Sequence, residues 1–163
     1  VKKSLSSLNP YNLVDQGDLY FTFSTSSNKE YIISFINTLS PLPGVNCYTF
    51  NIALTNNSQC SASVDARIGD TVIFSLTQFL KLNPDDVIYY ITDSSDDRHL
   101  ARYRKFKAWG NNFNSENYKH ITFSSNTDGE NYGGVIYHIN GLYSSDLVPL
   151  LPELVREAEN LYK

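Results

Sequence analysis

From residue 19 onward the hydrophobic positions fall into short runs of two different periods, separated by proline, glycine and clusters of Asn, Asp and Ser. Leu19 to Phe23 reads as a strand, and the polar stretch Ser24 to Lys29 suits a turn into a second strand, Glu30 to Asn37. There Tyr31, Ile33 and Phe35 alternate with their neighbours, so the two should pair antiparallel. Leu39 to Gly44 carries two prolines and a glycine, after which Asn46 to Leu54 reads as a third strand with Tyr48, Phe50 and Ile52 on one face. The period then changes. Between Ala66 and Leu82 the apolar positions Ile68, Val72, Phe74, Leu76, Phe79 and Leu80 cover more than one helical stripe, which predicts a mostly buried helix. Asp65 is its N-cap and Asn83-Pro84 its stop. Val87 to Ile91 is a continuous apolar run, the mark of an interior strand near the sheet centre. Asp93 to Asp97 is rich in capping residues and opens a second helix, about Arg98 to Asn111, with Leu100, Tyr103, Phe106, Trp109 and Phe113 toward the sheet. Lys119 to Ser124 and Tyr132 to Ile139 form a hairpin around Asn126-Thr127-Asp128-Gly129, and Ser145 to Lys163 is an amphipathic helix whose regular part begins near Pro152.

The element order is therefore β-β-β-α-β-α-β-β-α. This is an α/β (α+β) fold with a single mixed, mostly antiparallel sheet, a meander on one side of a central strand and a hairpin on the other, in two or three layers. One domain spans 1–163, with 1–18 as an N-terminal extension and 145–163 as a C-terminal helix. Composition agrees, since 13% aromatic residues favour sheet over an all-helical bundle and 41% hydrophobic with 18% charged residues suit a packed core. No apolar run approaches the roughly 18 residues of a membrane span, so the expected location is cytoplasmic. Methionine is absent, so Val1 is not the translated start, which leaves room for a removed leader. Cys47 and Cys60 read as structural thiols without a disulfide framework, and Cys and His are too few and too scattered for a metal site.

Net charge is −4, so the molecule as a whole repels phosphate and any anion must be met by a local cluster. Two places qualify. The first is the start of the first helix, Asp65 to Thr71, where Arg67, Gly69 and Thr71 with backbone donors suit a phosphate, although Asp65 and Asp70 serve the helix start without a ligand. The second is the later helix, which crowds Arg98, Arg102, Arg104, Lys105 and Lys107 into one short element beside Trp109. Arg98, Arg102 and Lys105 share a face by their spacing, and Arg104 and Lys107 share another. Pairing of these arginines with Asp93, Asp96 and Asp97 is the alternative. His99, His120 and His138 belong to no motif, and no nucleophile elbow, Walker loop or dinucleotide fingerprint occurs.

Asp93-Ser94-Ser95-Asp96-Asp97-Arg98, followed by Ala101-Arg102-Tyr103-Arg104-Lys105-Phe106 and Trp109, resembles the signature of an uncharacterised family of small bacterial proteins. Asp65 to Thr71 and the apolar strand before Asp93 resemble that family's pattern too, and the likeness runs from about Tyr11 to Ile139. The element order is similar, more distantly, to that of GNAT acyltransferases. That resemblance implies acyl-coenzyme A as cofactor, with Arg67, Gly69 and Thr71 around its pyrophosphate, and a V-shaped gap between the strand at Val87 and the strand at Lys119. The chain departs from the GNAT pattern at Asp70 and at Phe106, which stands where that family's tyrosine acid is expected.

Three readings follow. The first is recognition of an anionic ligand or a protein partner through Arg98, Arg102, Arg104, Lys105 and Trp109. The second is acyl-coenzyme A-dependent N-acyl transfer, and the third a toxin–antitoxin or nucleic-acid-binding component. The edge strands of the meander and the terminal helix each offer a surface for a homodimer.

Overall fold

The computed structural model describes residues 5–38, 40, 43–55, 65–92, 98–113, 117–125, 131–141 and 149. Seven strands form one sheet: β1 (Val14–Gly17), β2 (Tyr20–Ser24), β3 (Glu30–Thr38), β4 (Cys47–Leu54), β5 (Val87–Ile91), β6 (Tyr118–Ser125) and β7 (Asn131–His138). Two helices, α1 (Ala66–Leu82) and α2 (His99–Phe113), connect β4 to β5 and β5 to β6. The strand order is β1-β2-β3-β4-β5-β7-β6, and every neighbouring pair is antiparallel except β4 with β5. The sheet is thus mixed and mostly antiparallel, with the meander on one side of β5 and the hairpin on the other. The C-terminal helix expected over 145–163 lies outside the described residues.

The structure corrects the element order at its start. Four strands precede α1 instead of three, because Val14–Gly17 pairs antiparallel with β2. Its sequence, Val-Asp-Gln-Gly, has one apolar residue and all four residues are exposed, so the hydrophobic pattern carries no trace of it. Before it, Tyr11 is buried and stacks on Phe23 at 5.8 Å.

Alternation divides the sheet into two faces. Phe23, Ile33, Phe35, Phe50, Ile88, Tyr90 and Ile136 point toward the helices and join Val72, Ile73, Leu76, Phe79 and Leu80 of α1 and Phe113 of α2 in one core. Phe79 stacks on Phe35 at 4.4 Å and meets Tyr48 edge-on at 4.8 Å, which fixes the lower half of α1 against the meander. Cys47, Val87, Tyr89, Val135 and Tyr137 form a second buried cluster on the opposite face, where no helix packs among the described residues. Being buried on both faces explains why β5 reads as an unbroken apolar run.

α1 follows its capping chemistry closely. Asp65 is the N-cap, its carboxylate accepting the Arg67 N–H at 3.0 Å, and Asn83 closes the helix with its N–H on the Phe79 carbonyl at 2.9 Å. Among the described residues no helix is long and apolar enough to cross a membrane.

Candidate functional site

β4 and β5 run parallel, yet their ladder holds only from Cys47↔Val87 to Thr49↔Tyr89. Beyond it β4 continues to Leu54 against β3, β5 continues to Ile91 against β7, and the two strands part. The ring of Phe106, from α2, sits where they separate. It stacks on Tyr90 of β5 at 4.5 Å and meets Phe50 of β4 edge-on at 6.0 Å, so an aromatic side chain bears on both strands. The result is a wedge-shaped cavity of about 420 Å³. Its walls are Phe50 to Leu54 on one side and Tyr90 to Thr92 on the other, with Arg102 and Phe106 contributed by α2. Each wall is held from behind by a full antiparallel ladder, so the wedge is a fixed feature of the sheet. The facing strand edges present backbone N–H and C=O groups to it, and among the described residues Arg102 is the one charged side chain lining it.

No gap opens between the strand at Val87 and the strand at Lys119, because β7 lies between β5 and β6 and pairs with both. The sheet parts on the other edge of β5 instead. The physical reason is the connection: α2 carries the chain across to β6, and β7 returns antiparallel into the place between β6 and β5, so it fills the space where that gap would open.

Helical phase sorts the cations of α2. Arg102 and Phe106, four residues apart, share the face toward the wedge, and Arg102 is half-buried there. Arg98, Arg104, Lys105 and Lys107 are exposed. Lys105 Nζ lies 5.4 Å from the Trp109 ring and Lys107 Nζ lies 5.8 Å from the Tyr103 ring. Trp109 does not line the wedge; it packs on the core, edge-on to Phe106 at 5.1 Å, and against Gly69 of α1, where a Cβ would collide with the indole. Asp93, Asp96 and Asp97, the expected partners of the arginines, lie outside the described residues.

The start of α1 is occupied by the chain itself. Arg67 donates from Nε to the Asn9 carbonyl at 3.1 Å and from Nη2 to the Pro10 carbonyl at 3.1 Å, and its guanidinium lies 3.8 Å from the Tyr11 ring centroid. Thr71 Oγ1 donates to the Arg67 carbonyl at 2.7 Å and accepts the Tyr11 N–H at 2.8 Å. Asp70 accepts the Asn9 N–H at 3.1 Å, and the Tyr11 hydroxyl donates to Asp65 at 2.9 Å. Arg67 and Thr71 thus pin residues 9–11, and Gly69 admits Trp109. None of the three lines the wedge.

His120 is buried between α2 and the sheet. Its Nε2 shares a hydrogen bond of 2.9 Å with the Tyr90 hydroxyl, and burial lowers its pKa to about 4 and raises that of Tyr90. At neutral pH both rings are uncharged. Gly110 and Gly134 make the room for this pair, since a Cβ on the first would strike the His120 ring and a Cβ on the second would reach Tyr90 and His120 atoms at 2.7 Å. His138 sits two register positions away, with Tyr118 opposite it and Ile136 opposite His120. Among the described residues no group of three or more His, Cys, Asp or Glu is placed to hold a metal ion. Cys47 is buried, its thiol donating to Ser40 Oγ at 3.2 Å, while Cys60 lies outside the described residues.

The fold and the wedge define a mixed α+β protein with one seven-stranded, mostly antiparallel sheet. Residues 64–141 match the model of a family described as a family of unknown function (DUF6169). That stretch holds α1, β5, α2, β6 and β7, and with them Arg67, Gly69, Thr71, Arg98, Arg102, Arg104, Lys105 and Trp109; β1 to β4 lie outside it. No curated protein matches the chain, and no solved structure matches it.

Proposed function

We propose that the protein binds an anionic ligand whose extended, amide-bearing part lies in the wedge between β4 and β5 and whose charge is met by Arg102. The observation that supports this is the wedge itself: an open cavity of about 420 Å³ between two strand edges, with Arg102 as its one charged lining residue among those described. A parted parallel pair offers donors and acceptors on both sides, so an extended chain carrying amides satisfies them as an added strand would. Arg102 and the exposed cations Arg98, Arg104 and Lys105 give α2 a positive potential that favours an anion despite the net charge of −4. Acyl-coenzyme A belongs to this chemical class, having an amide-bearing arm and a phosphate-rich end.

A second reading, a GNAT-like scaffold that transfers the acyl group to an amine, is favoured by one specific observation: among the described strands, the only parallel pair is the one that parts. Against it stand the contacts of Arg67 and Thr71 with residues 9–11 and the lack of an ionisable group on Phe106. Binding is therefore the primary reading.

The test is a thermal-shift and calorimetric titration with acetyl-coenzyme A, with pantetheine and inorganic pyrophosphate as its separate halves. Ligand at 100-fold its Kd should stabilise the fold by about 2.7 kcal/mol. Arg102→Ala should weaken acetyl-coenzyme A about ten-fold and leave pantetheine unaffected, as expected for loss of one charge-assisted hydrogen bond. No shift at millimolar ligand removes the reading. Thiol release in the presence of an amine marks the transferase, and steeply salt-dependent binding of an oligonucleotide instead marks a nucleic-acid component.

A further inference from the structure

Between α1 and the outer strands lies an apolar groove of about 270 Å³ that shares no lining residue with the wedge. Leu13, Leu19, Phe21, Phe74, Phe79 and Leu82 form most of its wall, and among the described residues Asp15 is the only charged one lining it. Two of the wall residues are left open to water, Leu82 at 79% and Leu19 at 38% exposure. Asp15 uses one carboxylate oxygen to accept the Gly17 N–H at 2.8 Å.

Leu19 carries a second, independent sign that this wall is built for an occupant. Asp18 and Leu19 are the two residues of the tight turn between β1 and β2, and both have left-handed backbone, φ 49° and 63°. Such two-residue turns favour Asn-Gly or Asp-Gly, because a branched side chain crowds its own backbone at positive φ. Leucine at this position holds an apolar side chain on the lip of the groove at the cost of local strain. Strain of this kind persists where a site needs the side chain.

We propose that the groove binds a small organic cation, a primary ammonium on an apolar body of one or two rings. The body covers the exposed faces of Leu19 and Leu82 and lies against the apolar wall that Leu13, Phe21 and Phe74 form. The ammonium pairs with Asp15, the one charged residue that lines the groove among the described residues. This site uses none of the residues of the wedge, so it stands or fails independently of the reading given above.

The test is a calorimetric titration of the full chain with 2-(1-naphthyl)ethylamine, with 1-naphthylacetate as an anion of similar size. One amine should bind per chain, about five-fold or more tightly than the carboxylate, and Asp15→Asn should reduce that preference to about two-fold or less. Leu19→Gly turns the pair Asp18-Leu19 into Asp-Gly; urea unfolding should show stability unchanged or raised, while amine affinity falls several-fold. Gln78→Trp, on an exposed position of α1 at the groove, should block binding with the fold intact by circular dichroism. Equal binding of amine and carboxylate, no binding at millimolar amine, or unimpaired binding to Gln78→Trp would each overturn the proposal. So would a Leu19→Gly protein that loses stability and keeps its affinity, which would assign Leu19 to the fold alone.

Discussion

Gly110→Ala is the substitution whose effect the structure defines most sharply. A methyl group there would strike the His120 ring, which is packed between α2 and β7 with its Nε2 on the Tyr90 hydroxyl at 2.9 Å. The helix cannot yield easily, because Phe106 and Trp109 hold it to the core from the same turns. Overpacking of this kind costs about 1–3 kcal/mol. Displacing the imidazole also leaves the Tyr90 hydroxyl unsatisfied at 2% exposure, which costs about 1–3 kcal/mol more. Against these, Ala in place of Gly in a helix interior gains about 1 kcal/mol. The net loss is about 3 kcal/mol, or roughly 6–12 °C in Tm for a chain of this length. The assay is urea unfolding of the single and double variants. In a His120→Ala background the clash is gone and the new methyl fills part of the vacated space, so Gly110→Ala should become stabilising, by up to about 1 kcal/mol. Loss of stability in both backgrounds, or a single-variant effect under about 0.5 kcal/mol, would refute the account of His120 as the group that requires Gly110.

Two further predictions rest on the same reasoning. His120 is held neutral by burial, with a pKa lowered to about 4 from the usual 6.5. The unfolded chain therefore takes up the proton first as pH falls, so stability is full above about pH 6.5 and declines by up to about 3 kcal/mol toward pH 4; unfolding free energies across this range should lose that slope in His120→Gln. Arg67→Ala removes two hydrogen bonds to the carbonyls of Asn9 and Pro10 and the cover on the Tyr11 ring, and should cost about 1–3 kcal/mol. Hydrogen exchange at Tyr11 should accelerate in that variant, and unchanged protection there would show that the segment is held by Tyr11 packing alone.

Much of the architecture was legible along the chain. The bounds of α1 and β5 coincide with those the hydrophobic pattern predicts, because Asp65, Asn83-Pro84 and the apolar run Val87–Ile91 act through local backbone and burial preferences. The faces of β3 and β4 were legible for the same reason. β1 was not, since Val-Asp-Gln-Gly forms a strand only because β2 offers it a ladder.

The candidate site was legible only in part. Sequence marked α2 as unusually basic and grouped Arg102 with Arg98 and Lys105, but nothing local says that Arg102, with Phe106, faces a wedge. The wedge exists because a parallel ladder ends at Thr49↔Tyr89 and Phe106, 56 residues beyond Phe50 in the chain, bears on both strands where they part. Arg67 shows the converse. Its neighbourhood has the residue types of an anion site, yet its guanidinium is taken by carbonyls 57 and 58 residues away in sequence. The sequence by itself determined α1, α2 and the strands from β2 to β7, because periodicity and capping act within a few residues. The tertiary structure alone decided where the sheet opens and which cation faces the opening, because both depend on groups that only the folded chain brings together.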